Sequence, residues 1–225
     1  IFYKNIFLPK LKLNFGENLL SKNNKEKAAT FISENGFRET RNWEELNDNV
    51  RKIIGFLKSI EVKKKDRVAA YMPNIIETVE AFIGSVSLGA IWSSCSPDFG
   101  AKGVIERFSQ ISPKVLFTTN KYFYNGKQID ILNRLPEILK KIPSIKYVII
   151  SNYPGEKIRL KNFRFKKVKV FYWSKLMELK PPSIIFKQFD FEDELAILYS
   201  SGTTGKPKCI CHKNGGVLIQ HKKEH

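Results

Sequence analysis

Residues 195–208 read Leu-Ala-Ile-Leu-Tyr-Ser-Ser-Gly-Thr-Thr-Gly-Lys-Pro-Lys, an apolar run that ends in hydroxyl residues, glycines and lysines. Glycines let the backbone approach an anion closely and turn successive N–H groups toward it. Hydroxyl groups add uncharged donors, and a lysine neutralises part of the phosphate charge. The stretch therefore predicts a strand followed by a phosphate-binding loop, residues 201–207, called the glycine-rich loop below. A solvated turn rich in small polar residues is the alternative.

The glycine-rich loop differs from a Walker A loop. That motif needs a glycine five positions before its second glycine, and then a lysine followed by serine or threonine. Here Ser200 occupies the first position and Pro207 follows Lys206. The P-loop kinases and GTPases are therefore excluded, because the hydroxyl that binds magnesium and the start of the helix are both missing.

Outward from this loop, strand and helix patterns alternate along most of the chain. A strand, a break at Pro73-Asn74, a helix and a second strand form a βαβ unit within residues 67–95. Such alternation predicts an α/β fold in which a parallel sheet is covered by helices on both faces. Predicted strands span residues 28–33, 37–41, 67–72, 90–95, 114–119, 146–151, 168–173, 195–200 and 208–212. Predicted helices span residues 43–57, 75–88, 103–110, 129–141 and 215–225, and residues 152–167 and 180–189 are expected to be irregular.

The first long helix has the clearest local signals. Asn42 precedes it and can cap its N-terminus. From Trp43 onward, apolar residues recur at helical spacing and form one buried stripe: Leu46, Val50, Ile53 and Leu57. The pair Asn35-Gly36 in front of the helix predicts the turn of a hairpin.

Composition limits the class of protein. The 225 residues are 42% hydrophobic, which is enough for one sizeable core. The most apolar stretch, residues 79–95, is interrupted by Glu80 and by small residues, so no transmembrane helix is expected. Residues 1–8 lack the pattern of a secretory signal peptide. The three cysteines, Cys95, Cys209 and Cys211, suit a reducing cytosol, so a cytoplasmic location is expected.

The formal net charge is +17. Such a charge can attract nucleic acid or an anionic membrane. Here lysines are spread over nearly every segment, and no aromatic-plus-basic motif accompanies them. A compositional bias therefore explains the charge better than a nucleic-acid partner, and none is predicted.

The glycine-rich loop with its flanks, Tyr199 to Lys208, resembles the phosphate-binding motif of the adenylate-forming (AMP-binding) superfamily of acyl-CoA synthetases, luciferases and peptide-synthetase adenylation domains. Residues 88–100, Leu-Gly-Ala-Ile-Trp-Ser-Ser-Cys-Ser-Pro-Asp-Phe-Gly, resemble a second superfamily motif in the form typical of acetoacetyl-CoA synthetases. Further similarity to this subfamily lies in residues 13–20, 107–111, 113–114, 124–127, 207–212, 215–216 and 220–225.

This resemblance implies the N-terminal part of the large domain of an adenylate-forming enzyme. Residues 1–27 would be an N-terminal extension typical of acetyl- and acetoacetyl-CoA synthetases, and residues 28–225 a partial adenylation domain that stops after the phosphate loop. The implied activity is that of an acetoacetate–CoA ligase: ATP activates acetoacetate as an acyl-adenylate, and CoA then forms the thioester. The expected small molecules are acetoacetate, ATP, Mg²⁺ and coenzyme A, and no oligomeric state is assigned.

Site residues follow from the resemblance position by position. Lys208 is the expected catalytic residue. The β and γ phosphates would be bound by residues of the motif: Ser200, Ser201, Gly202, Thr203, Thr204, Gly205 and Lys208. Asp98 is expected to cap a helix and Trp92 to pack in the core.

Both ends of the chain look cut, because it begins at Ile1 and ends inside a predicted helix. The family's adenine- and ribose-binding segments, its hinge and its catalytic C-terminal lysine would lie downstream. The 225 residues alone are therefore expected to be inactive. They are interpreted as a fragment or as the remnant of a decayed gene.

Three other interpretations stay open. The first is another short-chain acyl-CoA synthetase. The second is a zinc metallohydrolase, since residues 221–225, His-Lys-Lys-Glu-His, match the H-x-x-E-H pattern and offer His221 and His225 as ligands. A metal site at Cys209, Cys211 and His212 is the third, although alternate residues of a strand usually pack. No metal ligand is assigned.

Overall fold

The computed structural model describes residue 8 and residues 10–156, 164–201 and 205–224. These residues form α-helices at Phe15–Leu19 (α1), Trp43–Ser59 (α2), Ile76–Val86 (α3), Gly100–Ile111 (α4), Leu135–Lys141 (α5), Trp173–Met177 (α6) and Asn214–Glu224 (α7). They form strands at Lys12–Leu13 (β1), Lys27–Ile32 (β2), Arg38–Asn42 (β3), Arg67–Tyr71 (β4), Ile91–Cys95 (β5), Val115–Thr119 (β6), Lys121–Tyr124 (β7), Lys127–Asp130 (β8), Tyr147–Ser151 (β9), Lys169–Tyr172 (β10), Phe189–Asp190 (β11), Glu194–Ser200 (β12) and Lys208–Lys213 (β13).

A seven-stranded sheet in the order β10-β9-β6-β4-β5-β12-β13 forms the centre of the molecule. Its neighbouring strands run parallel from β10 to β12, and only the β12–β13 pair is antiparallel. The α/β fold with a mostly parallel sheet is thus confirmed.

Helices cover both faces of this sheet. The chain passes from β4 through α3 to β5 on one side, and from β5 through α4 to β6 on the other side of β4. Right-handed crossovers in opposite directions place α3 and α4 on opposite faces. Helices α1 and α2 pack against α3, whereas α5 packs against α4. The strands in the middle of the sheet, β4, β6 and β9, are therefore buried between two helical layers.

The N-terminal segment packs against this body. Strand β1 pairs with β11, and the buried Asn14 side chain donates to the carbonyl oxygens of Ser87 and Lys187 at 3.0 and 2.9 Å. Phe15 is fully buried in the main core. A Cβ at Gly16 would lie 2.0 Å from Ser87 Oγ, so only glycine allows this contact. The proposed boundary at residue 27 remains a prediction.

Several local signals read from the sequence are confirmed. The Asn35-Gly36 turn joins β2 to β3, with Gly36 at φ +82°. Asn42 caps α2 in a reciprocal arrangement: its side chain accepts from the backbone N–H of Glu45 at 2.8 Å, and its own backbone N–H donates to the Glu45 carboxylate at 2.9 Å. The apolar stripe of this helix is buried as expected.

Two local predictions were wrong. The helix expected over residues 129–141 begins as an α-helix only at Leu135, because residues 121–130 form the β7–β8 hairpin. Its turn, Asn125-Gly126, has positive φ at both residues, which is the geometry that favours tight hairpins.

The strand expected over residues 168–173 is confirmed at Lys169–Tyr172, although Trp173 starts α6 with its ring buried.

The second wrong prediction is that Asp98 caps a helix. The residue that caps the short 3-10 turn at Pro97–Phe99 is Ser96, whose Oγ accepts from the Asp98 N–H.

None of the described helices combines the length and the apolarity that crossing a membrane would require.

Candidate functional site

Both ends of the glycine-rich loop lie at the carboxyl edge of the central sheet. The loop joins β12 to β13, and Ser200 and Lys208 are paired across the two strands. Because β12 runs parallel to β5, the loop leaves the sheet at the same edge as the segments after β4 and β5. Ligands of open α/β sheets bind in crevices at this edge.

The described residues of the loop offer donors and a backbone bend. Gly205 has φ +111°, a conformation that other residues rarely adopt. A Cβ at this position would meet no atom of the described residues within 4 Å, so the glycine serves the backbone conformation. Ser201 and Lys206 are exposed and Ser200 is half-buried. Gly202, Thr203 and Thr204, three of the expected phosphate ligands, lie outside the described residues.

Two lysines beside the loop have no acidic partner within the part of the chain that the structure describes. Lys206 and Lys208 are exposed, and neither forms an ion pair there. At the other end of β13, Lys213 Nζ lies 3.9 Å from Glu194 Oε1. The positive charge near the loop is thus uncompensated, as a site for a polyanion requires.

The strand that leads into the loop is fixed by polar contacts inside the sheet. Ser93 Oγ donates to the Ile197 carbonyl oxygen at 2.8 Å and lies 3.2 Å from the Tyr199 hydroxyl. Burial raises the pKa of Tyr199, so its hydroxyl stays neutral. Burial likewise raises the pKa of the Cys95 thiol to about 12, which leaves this cysteine unreactive at neutral pH.

A second polar cluster lies at the carboxyl end of β5. The Asp98 carboxylate accepts hydrogen bonds from Ser96 Oγ at 2.6 Å and from the Tyr122 hydroxyl. These two bonds lower the pKa of Asp98, so it is ionised. Arg134 Nη1 donates to the Tyr71 hydroxyl at 2.6 Å and to the Pro97 carbonyl at 2.8 Å. Asp98 therefore connects the β5 edge to the β7–β8 hairpin.

Helix α4 contacts the end of the glycine-rich loop. This contact was not predicted from the sequence. Gln110 Nε2 donates to the Pro207 carbonyl oxygen at 3.0 Å, and Cys209 Sγ lies 3.7 Å from Gln110 Oε1. The Arg107 guanidinium lies 3.8 Å from the Phe99 ring centroid and 5.8 Å from that of Tyr199. In the sequence, the only indication of a role for Arg107 and Gln110 was that both lie in residues 107–111, which are similar to the acetoacetyl-CoA synthetase subfamily.

The structure gives no support to the two metal interpretations. Within the described ranges, no three His, Cys, Asp or Glu side chains lie close enough together to hold a metal ion. His221 packs its ring edge-on against Phe15 at 5.5 Å between centroids, and His225 lies outside the described residues. Trp92 is buried between Phe82 and Phe117, which confirms its expected packing role.

A parallel α/β sheet with a glycine- and lysine-rich loop at its carboxyl edge is an arrangement typical of nucleotide-binding proteins. Residues 20–224 match the family model of the AMP-binding enzymes, so the chain belongs to the AMP-binding enzyme family.

Within this family the similarity is to synthetases of short acyl-CoA esters. The chain is 41% identical over 219 residues to acetoacetyl-CoA synthetase of Gallus gallus, covering 95% of this chain and 33% of that protein. It is 35% identical over 223 residues to malonamoyl-CoA synthetase vrtB of Penicillium aethiopicum, covering 95% and 31%. The solved structure of acetoacetyl-CoA synthetase from Streptomyces lividans superposes with a TM-score of 0.85 at 33% identity, covering 95% and 32%. The chain thus spans about a third of the length of the relatives it matches.

Proposed function

We propose that this chain is the phosphate-binding part of an ATP-dependent acid–thiol ligase, and that its acid substrate is acetoacetate. The observation that carries the proposal is the glycine-rich loop at the carboxyl edge of the sheet, with Lys206 and Lys208 uncompensated beside it. Family membership and the names of the most similar relatives support the reaction class and the acid.

The proposed reaction has two steps. In the first, a carboxylate oxygen of acetoacetate attacks the α-phosphorus of ATP, and the bond from that phosphorus to the bridging oxygen of pyrophosphate breaks. In the second, the CoA sulfur attacks the acyl carbon of the adenylate, its proton goes to solvent, and AMP leaves. The products are acetoacetyl-CoA, AMP and pyrophosphate.

Charge builds on the pyrophosphate oxygens as the first bond breaks, so donors placed there in advance lower the barrier. We assign Lys208 to this charge as the catalytic residue. Hydroxyl and backbone donors of the motif would bind the β and γ phosphates: Ser200, Ser201, Gly202, Thr203, Thr204 and Gly205. The tight β12–β13 pairing holds Ser200 and Lys208 at opposite sides of the loop entrance.

The described part of the loop supplies hydroxyl, amide and ammonium groups and no carboxylate. Hard cations such as Mg²⁺ prefer oxygen ligands, carboxylates above all. These residues therefore do not form a magnesium site by themselves. Mg²⁺ is proposed only as the counterion that accompanies ATP, and no residue is assigned to it.

The test is product formation by the full-length protein that contains these residues. Purified protein is incubated with ATP, CoA and one acid at a time: acetoacetate, malonamate, acetate or butyrate. The proposal predicts acetoacetyl-CoA and AMP in equal amounts, with the highest kcat/KM for acetoacetate. Malonamate is the second candidate because of the malonamoyl-CoA synthetase among the relatives. A higher kcat/KM for malonamate would make malonamate the substrate and leave the proposed reaction in place. If no thioester forms with any acid, both the proposed reaction and the proposed substrate are contradicted.

A further inference from the structure

Gln110 on α4 uses every polar group of its side chain at the glycine-rich loop and its own helix. Its Nε2 donates to the Glu106 carbonyl oxygen at 2.8 Å and to the Pro207 carbonyl oxygen at 3.0 Å. A carboxamide nitrogen carries two hydrogens, so both are used. The carbonyl oxygen faces Cys209 Sγ at 3.7 Å. One side chain therefore contacts both the last residue of the loop, Pro207, and Cys209 in the strand that follows it.

Helix α4 also approaches the strand that leads into the loop, through Arg107. The Arg107 guanidinium stacks on Phe99, lies 5.8 Å from the centroid of the Tyr199 ring, and donates to the Gly103 carbonyl at 2.9 Å. Residues three apart on a helix share a face, so Arg107 and Gln110 point to the same side. Tyr199 precedes the loop, whereas Pro207 ends it. Helix α4 thus contacts the Pro207 end of the loop and lies near the strand that enters it.

The Gln110 contact restrains the backbone more strongly because its acceptor is the carbonyl of a proline, Pro207. Proline fixes its own φ and lacks an N–H, so the carbonyl is its only backbone polar group. Ser200 and Lys208 are paired across β12 and β13 directly beside it. A hydrogen bond to the Pro207 carbonyl therefore fixes the position of the residue immediately before Lys208.

We propose that Gln110 is a positioning residue for ATP: it holds the Pro207–Lys208 end of the glycine-rich loop against α4, so that Lys208 faces the phosphates. The proposal rests on the proposed function of the loop. Gln110 itself does not touch the nucleotide. Its loss weakens ATP binding through the loop and leaves the acid-binding step unchanged.

The first readout needs no catalysis. In Gln110→Met the side-chain volume is kept and all hydrogen bonding is lost. Cys209 and Cys211 are both exposed on β13, so Cys211 is an internal reference for thiol alkylation. The Cys209 to Cys211 rate ratio should rise about fivefold, the factor that corresponds to one hydrogen bond of ordinary net strength. Lys102→Met, on an exposed position of the same helix, is the control and should leave the ratio unchanged.

The second readout is steady-state kinetics of the full-length enzyme. Gln110→Met should raise the KM for ATP about fivefold. The KM for acetoacetate should stay near the wild-type value, while kcat should fall less than in Lys208→Ala, because Lys208 is displaced rather than removed. A general loss of folded protein would instead lower the apparent kcat and leave both KM values unchanged, as it would in any destabilised variant.

The outcomes separate the two proposals. An unchanged alkylation ratio overturns the Gln110 contact, whatever the activity. A raised ratio with an unchanged KM for ATP overturns the positioning role. An inactive wild-type enzyme contradicts the proposed function, while the alkylation ratio still reports whether Gln110 holds the loop.

Discussion

The middle of the central sheet and its β13 edge differ sharply in burial. Every residue of β4, β6 and β9 is buried except Arg67 and Tyr147. No residue of β13 is buried, and its residues from Lys208 to Cys211 are exposed. Strands covered on both faces fix the shape of the molecule, whereas loops at the rim carry binding groups. The candidate site thus lies where the buried part of the sheet ends, within the residues that the structure describes.

The difference predicts that mutations in the two regions act on different quantities. A side chain in the buried strands contributes to the free energy of unfolding. A side chain at the β12–β13 end contributes little to folding and, in the proposed enzyme, acts on the reaction. Each test below changes one region and measures the quantity that the region should control.

The largest effect is expected for Phe117→Ala in β6. Phe117 is fully buried, and its ring lies 6.4 Å from that of Trp92 and 6.1 Å from that of Trp173. Removing a buried aromatic ring leaves a cavity, so the free energy of unfolding should fall by about 4 kcal/mol. Denaturant unfolding measures this loss.

The matched control for that test is Ile210→Ala in β13, at a side chain that is 45% exposed. Its free energy of unfolding should change by less than about 0.5 kcal/mol. If the free energy of unfolding fell equally in the two variants, β13 would contribute to the core as much as β6 does. The two regions would then not differ in their contribution to folding.

The next largest effect is expected for Lys208→Ala, measured in the full-length enzyme. Loss of a charged contact to the leaving pyrophosphate should slow adenylate formation about 100-fold. The melting temperature should stay within experimental error, because the side chain is exposed and has no described ion-pair partner.

Lys213→Ala, at the other end of β13, is the control for Lys208 and should keep the wild-type rate of adenylate formation. Similar rates for wild type and Lys208→Ala would remove Lys208 from the mechanism and weaken the assignment of the loop.

A smaller effect is expected at Glu80, a carboxylate inside the buried region. Glu80 is fully buried; Asn49 Nδ2 donates to its Oε1 at 2.8 Å, and Arg41 Nε lies 3.7 Å from that oxygen. Its Oε2 has no hydrogen-bond partner among the described residues. Burial raises the pKa of Glu80 to about 8, with Glu77 and Glu39 adding to the shift and Arg41 opposing it.

The sign of the pH dependence follows from proton binding. Between the unfolded pKa of 4.5 and the folded pKa of about 8, the folded chain holds a proton that the unfolded chain releases. Folding stability therefore falls as pH rises through this window. Glu80→Gln removes the titration, so wild type should lose about 1 kcal/mol per pH unit relative to the variant. Urea unfolding at pH 5, 6, 7 and 8 measures the difference.

Glu178→Gln is the control for the pH series, because Glu178 is exposed and, among the described residues, its ion pair is with Lys175 on the surface. It should follow the wild-type curve. Parallel curves for wild type and Glu80→Gln would mean that Glu80 is already ionised in the folded chain.

Local chemistry explains which parts of the fold could be predicted. The Asn42 cap, the stripe on α2 and the Asn35-Gly36 turn depend on neighbouring residues, so the sequence specified them. Strand order could not be read, because parallel pairing joins segments far apart in the chain. Residues 129–130 failed as the start of a helix because their pairing with β7 outweighed their own pattern.

The site shows the same limit. The motif around the glycine-rich loop is contiguous, so its residues could be chosen from the sequence. The Gln110 contact to Pro207 spans 97 positions and exists only once α4 and the β12–β13 hairpin are side by side. Asp98 was misassigned for a similar reason, since its partner Tyr122 comes from a hairpin that sequence reasoning did not place.

The most direct test of the central claim is exchange of labelled pyrophosphate into ATP, catalysed by the full-length protein without CoA. Exchange requires that the enzyme forms an acyl-adenylate and reverses that step. We expect exchange that depends on acetoacetate. Its rate should be about 100-fold lower in Lys208→Ala. Folded wild-type protein that shows no exchange with any acid would contradict the account.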